Sequence, residues 1–166
     1  MIRRHQKENT LSERLILEKI KHPYIVNLHY AFQTPENLYF VIDFLNGGEL
    51  YYHLRRERRF SQARTAFYAA EILLALDCLH NNGVIYRDLK PENVILDSEG
   101  HIKLTDFGLS KIRSNEKEMS HTFCGTPEYM APEIVKGLGY GRSVDFWSLV
   151  SNIFLYVFVL FPFKHT

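Results

Sequence analysis

Leu11, Leu15, Ile16 and Ile20 recur at three- to four-residue spacing, with Glu13 and Arg14 on another face. That period predicts an amphipathic helix, ended by His22-Pro23. Two apolar segments, residues 25–32 and 38–44, flank Thr34-Pro35-Glu36-Asn37 and predict an antiparallel hairpin. Gly47-Gly48 breaks the chain before a short helix at residues 49–56. Residues 64–80 give the clearest helical pattern, with Phe67, Leu74 and Leu76 among its apolar positions and Gly83 past its end. Val94-Ile95-Leu96 and residues 101–105 predict two short strands around a turn at 97–100. From Gly108 to Lys136 the chain is polar and rich in Gly, Pro, Ser and Thr. A loop of that length in a compact domain is functional or disordered.

The 166 residues fit one modest domain, and 46% apolar content is enough to bury a core. With 20 basic and 19 acidic residues the net charge is +1, which gives no electrostatic reason to expect nucleic acid or an anionic membrane as partner. Residues 1–7 are polar and basic with no apolar stretch behind them, unlike a secretory signal. The longest apolar run, residues 153–163, falls short of the ~20 residues a helix needs to span a bilayer. Cys78 and Cys124 lack metal-ligand spacing and read as reduced thiols of an intracellular protein. The eight histidines form no metal-like cluster, and His29 and His80 read as structural.

The chemistry is concentrated in Tyr86-Arg87-Asp88-Leu89-Lys90-Pro91-Glu92-Asn93, followed thirteen residues after Asn93 by Asp106-Phe107-Gly108, then by Gly125-Thr126-Pro127-Glu128 and Ala131-Pro132-Glu133. Alone, Arg-Asp-Leu-Lys could be a surface loop with an ion pair, and Asp-Phe-Gly a turn after a strand. In this order and spacing they resemble the catalytic loop, the metal-binding Asp-Phe-Gly and the Ala-Pro-Glu of protein kinases. The resemblance implies an α+β, partial bilobal kinase fold. A remnant of the small lobe, with helix and hinge hairpin, would precede the upper part of a mainly helical lobe. It also implies ATP and Mg²⁺ as cofactors. Asp88 would orient the substrate hydroxyl and accept its proton, and Lys90 would touch the γ-phosphate. Asn93 and Asp106 would be the metal ligands, and Thr126 would bond near Asp88 and Lys90. Hard oxygen donors suit Mg²⁺.

Tyr86 in place of the usual His, the segment His121-Thr122-Phe123-Cys124-Gly125-Thr126-Pro127-Glu128-Tyr129, Asn46-Gly47-Gly48-Glu49-Leu50 and Phe67-Tyr68-Ala69-Ala70-Glu71 resemble the AGC group. The likeness is greatest to the protein kinase B, serum/glucocorticoid-regulated and ribosomal S6 kinases. It implies nucleotide contacts from Asp43 and Leu45 (backbone groups facing the base), Glu49, Glu92 and Ile95, with Ile42 as gatekeeper or ordinary core strand. Glu49 is also explained as a helix N-terminal acid. Glu49, Glu92 and Glu128 would select Ser/Thr protein substrates with upstream basic residues. Thr122 would be the site of an upstream activating kinase, its phosphate met by Arg87 and Lys111. Glu13 would be the acid of the small-lobe helix. Leu17, Leu28, Tyr86 and Phe107 would form a hydrophobic column between lobes, Asp145 would hold the catalytic-loop backbone, and Trp147 would pack in the last helix. The family's location is expected to be cytoplasmic or nuclear.

Two departures temper this. No Gly-rich loop and no strand lysine precede Glu13, and twelve residues cannot hold three strands of about five residues. Residues 1–149 are thus expected to be a partial kinase domain. Residues 150–166 are expected to be a non-family apolar tail, read as translated intron because Val150-Ser151 can be encoded by GTAAGT. Such a fragment is expected to be inactive alone. The alternative is a non-catalytic kinase-like binding or regulatory fragment.

Overall fold

The computed structural model describes residues 2–115 and 117–158, with side chains from Asn9 onward. The first helix, α1 (Ile2–Lys19), buries Ile16 and Leu17 and leaves Leu11 and Leu15 exposed. His22-Pro23 ends it, as the sequence predicts. The hairpin pairs β1 (Leu28–Gln33) with β2 (Leu38–Ile42), with a register shift between Leu28 and Tyr30. Its turn closes through Thr34 N to Asn37 O at 2.8 Å. Strand β1 starts later than the apolar pattern suggests. Ile25 and Val26 instead lie along Leu104, where Val26 N donates to Leu104 O and Leu104 N to Tyr24 O.

Strand β3 (Gly48–Glu49) leads into α2 (Leu50–Glu57). The long helix α3 (Gln62–Asn81) is capped by Ser61, whose Oγ accepts from Arg64 N at 3.3 Å. Of its apolar residues, Ile72, Ala75, Leu76 and Leu79 are buried, whereas Phe67 and Leu74 face out. Strands β4 (Val84–Ile85), β5 (Val94–Leu96), β6 (Ile102–Leu104) and β7 (Lys111–Ile112) complete two further small antiparallel sheets, β3-β5-β6 and β4-β7. The two-residue strands β3, β4 and β7 are too short to show a period.

The polar stretch after Gly108 is largely ordered. It holds β7, a turn of 3-10 helix at Pro127–Tyr129, the short helix α4 (Pro132–Val135), and a backbone pair between Ser120 and Tyr140. The last helix, α5 (Ser143–Phe158), runs through Val150 without a break. Residues 159–166, the rest of the expected tail, lie outside the described residues.

The main core joins Ile16 and Leu17 of α1, and Ile20 just past its end, to Leu50 and Leu54 of α2, the inner face of α3, and Tyr86 and Phe107. A second cluster, Ile85, Met130, Ala131, Ile134, Tyr140 and Val144, packs beneath the site. Two expectations are corrected here. Ile42 is 42% exposed, so it is not an ordinary buried strand position; the two-stranded hairpin leaves Tyr30, Phe32, Tyr39 and Val41 exposed as well. Trp147 is 49% exposed, because it shares the outward face of α5 with Val150, Phe154 and Phe158. Among the described residues no helix is long and apolar enough to cross a membrane.

Candidate functional site

The loop between β4 and β5 is anchored from α5. Asp145, fully buried, accepts from Tyr86 N at 2.9 Å, from Arg87 N at 2.8 Å and faces His80 Nε2 at 2.7 Å. A buried carboxylate needs such partners, and two backbone N–H groups satisfy it while fixing the chain. Arg87 takes a positive φ of 70° there. The turn aims the next side chain, Asp88, inward.

Asp88 is 6% exposed and held on both oxygens. Oδ1 accepts from Thr126 Oγ1 at 2.8 Å; Oδ2 accepts from Asn93 Nδ2 at 3.0 Å and pairs with Lys90 Nζ at 2.9 Å. Asn93 Nδ2 also donates to Asp88 O at 2.9 Å, and Lys90 Nζ to Thr126 Oγ1 at 3.1 Å. The structure therefore brings together Asp88, Lys90, Asn93 and Thr126. The amide nitrogen of Asn93 is committed to Asp88, so its oxygen is the atom suited to accept from or ligate a further group.

Asp106 enters from the neighbouring strand. Thr105 N and Oγ1 both donate to Asn93 O, at 3.0 and 3.2 Å, so Asp106 follows a residue bound to the Asn93 backbone. Asp106 has a positive φ of 57°, is exposed, and accepts on Oδ1 from Gly108 N at 3.1 Å. An Asn amide oxygen and a carboxylate are the hard donor set that Mg²⁺ requires, so these residues fit that ion. No cluster of three or more His, Cys, Asp or Glu side chains able to hold a metal occurs among the described residues.

Glu13 reaches this segment from α1, accepting from Phe107 N at 3.3 Å. Burial pushes its carboxyl above the usual range, the Phe107 N–H opposes this, and nearby Asp106 adds to the rise. Leu17, Leu28, Tyr86 and Phe107 are all buried, with the Tyr86 and Phe107 rings edge to face at 5.3 Å. Tyr86 OH donates to Thr105 O, tying the loop to the strand before Asp106.

Among the residues expected to meet a nucleotide, Asp43 engages its carboxylate with Asn27 and His29; the Asn27 N, Asn27 Nδ2 and His29 contacts measure 3.0, 2.8 and 2.8 Å. Burial works to raise its pKa, but those bonds and Lys103 outweigh it and hold the group low. Leu45 and Ile95 are half-buried. Glu49 is exposed at the N-cap position of α2, where its side chain makes no capping bond. Glu92 is half-buried with Oε2 unpartnered among the described residues. Burial raises its carboxyl, Lys90 lowers it, and Glu49 and Asp88 raise it.

The residues expected to be regulatory each engage partners of their own in the unmodified chain. Thr122 is exposed, and its carbonyl accepts from Tyr140 OH at 2.7 Å. Arg87 commits its guanidinium to Leu109 O at 2.6 Å, Ser120 Oγ at 3.1 Å and Tyr140 OH at 3.2 Å. Lys111 pairs with Glu118 at 2.9 Å. Sequence reasoning missed Ser120, Tyr140 and Glu118, which stand 33, 53 and 7 positions from the cations they engage. No local pattern marks such pairs. Cys78 and Cys124 are free thiols.

The protein-family model described as "Protein kinase domain" matches residues 1–166, the stretch from Val150 included. The chain is 57% identical over 163 residues to "Protein kinase 2" of Dictyostelium discoideum, covering 98% of this chain and 34% of that protein. It is 53% identical over 166 residues to "RAC family serine/threonine-protein kinase homolog" of the same organism, covering 98% and 37%. To "Serine/threonine-protein kinase Sgk1" of Homo sapiens it is 50% identical over 164 residues, covering 98% and 38%. The chain thus spans little more than a third of the length of these curated relatives. The catalytic-loop geometry, the family match and these likenesses agree: the chain belongs to the protein kinase domain family, with the serine/threonine kinases of the AGC group.

Proposed function

We propose that this chain carries the chemical centre of an enzyme that transfers the γ-phosphoryl group of Mg²⁺-bound ATP to Ser or Thr of proteins with upstream basic residues. The observation that carries this reading is the Asp88 carboxylate, buried and held by Thr126, Asn93 and Lys90 within 3.0 Å. So fixed, it can orient a hydroxyl and take its proton without reorganising. Lys90 supplies a positive charge beside it for the transferred phosphate. Asn93 and Asp106 would hold the metal, which when bound neutralises charge on the phosphate oxygens. Asp43, Leu45 and Ile95 would border the base and Glu49 the ribose. Glu49, Glu92 and Glu128 would receive substrate Arg side chains, and such a cation would counter the burial that raises the Glu92 carboxyl. A phosphate placed on Thr122 by an upstream kinase would draw Arg87 from Ser120 and Lys111 from Glu118.

The test is phosphate transfer from ATP to an Arg-rich Ser-containing peptide by the intact protein. Asp88→Asn is expected to lower kcat by about 10²- to 10⁴-fold, with nucleotide affinity kept. Transfer undiminished by Asp88→Asn overturns the assignment. One observation favours a second reading for the chain taken alone, a non-catalytic binding fragment: among the described residues no cation pairs with Glu13, which accepts from a backbone N–H instead. Peptide binding by the 166-residue chain with no ATP-dependent transfer is the outcome that reading expects.

A further inference from the structure

Helix α5 has two faces. Trp147, Val150, Phe154 and Phe158 are exposed; Asp145, Ser148, Asn152 and Tyr156, at the same three- and four-residue steps, are buried. All four carry polar groups, and they are buried beside the apolar Val144 and Leu149. A buried polar group costs free energy unless it is hydrogen-bonded, so each needs a partner. Three of the four find theirs on loops that carry the site. Asp145 takes the N–H groups of Tyr86 and Arg87. Ser148 Oγ donates to Tyr129 O at 2.8 Å, beyond Pro127-Glu128. Asn152 Nδ2 donates to Leu89 O at 3.2 Å and to Ser148 O at 2.7 Å. Tyr156 secures the set, its OH donating to Asn152 Oδ1 at 3.2 Å and its carbonyl accepting from Phe60 N at 2.9 Å.

The orientation of the Asn152 amide follows from its partners. Two carbonyls can only accept, so the nitrogen faces them, and the Tyr156 hydroxyl donates to the oxygen. Leu89 is the residue between Asp88 and Lys90, and its carbonyl accepts from Asn152 Nδ2. Asp145 grips the loop on the near side of Asp88, and Asn152 grips it on the far side. A small pocket lined by Asp88, Leu89, Thr126 and Tyr129 meets this ladder at Ser148.

We infer that Asn152 is a positioning residue for phosphoryl transfer. Its amide ties the peptide between Asp88 and Lys90 to α5 and so sets the bearing of both side chains. The catalytic part of this inference rests on the proposed phosphoryl transfer; the anchoring part does not.

Asn152→Leu keeps the branched shape and removes the donor; Tyr156→Phe keeps the ring and frees the amide to turn. In the intact protein each is expected to lower kcat, Asn152→Leu by roughly tenfold, with KM for ATP and for an Arg-rich peptide within about twofold. Amide hydrogen exchange at residues 88–93 is expected to quicken by about tenfold in Asn152→Leu, with α3 unchanged. Ser148→Ala, which loses the bond to Tyr129 O, is expected to leave exchange at 88–93 unaltered. Should Asn152→Leu fail to fold, Tyr156→Phe carries both measurements. Uniformly faster exchange through α3 and the loop makes Asn152 a packing residue and overturns the inference. So does unchanged loop exchange, or faster loop exchange with kcat intact in an active protein. A parent protein that transfers no phosphate defeats the proposed function, while the exchange data still decide whether Asn152 anchors the loop.

Discussion

Gly125 sits next to Thr126 with φ 108°, and a Cβ added there would come 2.8 Å from Arg87 O. Both the conformation and the space exclude a side chain, because the neighbour is backbone of the loop that aims Asp88. Gly125→Ala is expected to cost about 1–3 kcal/mol, read as a lower urea midpoint at unchanged m-value. Gly100 is the control. Its φ is 89°, yet an added Cβ meets nothing within 4 Å, so Gly100→Ala bears only the backbone strain. Equal losses at the two positions would show that the approach to Arg87 O contributes nothing. This need at Gly125 was half legible: Gly125-Thr126-Pro127-Glu128 stands out as a motif, but the contact with Arg87 joins segments 38 positions apart and leaves no mark in either.

At the level of elements, α3 is joined to β6 by a buried acid. Glu71, 4% exposed, faces His101 Nδ1 at 2.6 Å and accepts from Ile102 N at 3.0 Å. Tyr24 approaches from the segment after α1, with its ring 6.2 Å from His101 and its hydroxyl pKa raised first by the Glu71 charge. The bond and charge of Glu71 raise the His101 pKa above 6.5, burial opposes this, and Asp97 and Glu99 add to the rise. A histidine with a raised folded-state pKa stabilises the fold fully below its unfolded value. That contribution is lost as pH climbs through the folded value. The melting temperature is therefore expected to fall as pH rises from 6.5 through the raised value, and His101→Gln is expected to flatten that part of the profile. A profile equally steep in His101→Gln would assign the slope to another group. Periodicity found the helix and strand this pair connects; it could not find the pair, because α3 and β6 each read as complete without it.

For the whole molecule, the sequence yields most where function is contiguous. Asp88, Lys90 and Asn93 lie within six residues, and their convergence with Thr126 follows once the loop is recognised. Asn152 and Tyr156 were hidden by their setting, since one stands just before the apolar run and the other within it, and only a helix turns both to one side. The same division of faces has a consequence for solution behaviour. Outward from the core lie Tyr30 (71% exposed), Phe32 and Tyr39 on the hairpin, Phe44 (91%) beyond it, and Trp147, Val150 (65%), Phe154 and Phe158 on α5. Two contiguous apolar faces on one small domain favour association, because burying them removes apolar surface from water at roughly 25 cal/mol per Å². The near-zero net charge opposes this little. The 166-residue chain is therefore expected to show a weight-average mass that rises with concentration in light scattering. Charges placed on the outward face, as in Val150→Lys with Phe154→Glu, should lower that mass while leaving the buried Asp145, Ser148, Asn152 and Tyr156 ladder in place. A chain that stays monomeric at high concentration would mean these faces do not bind each other, whatever their apolar character.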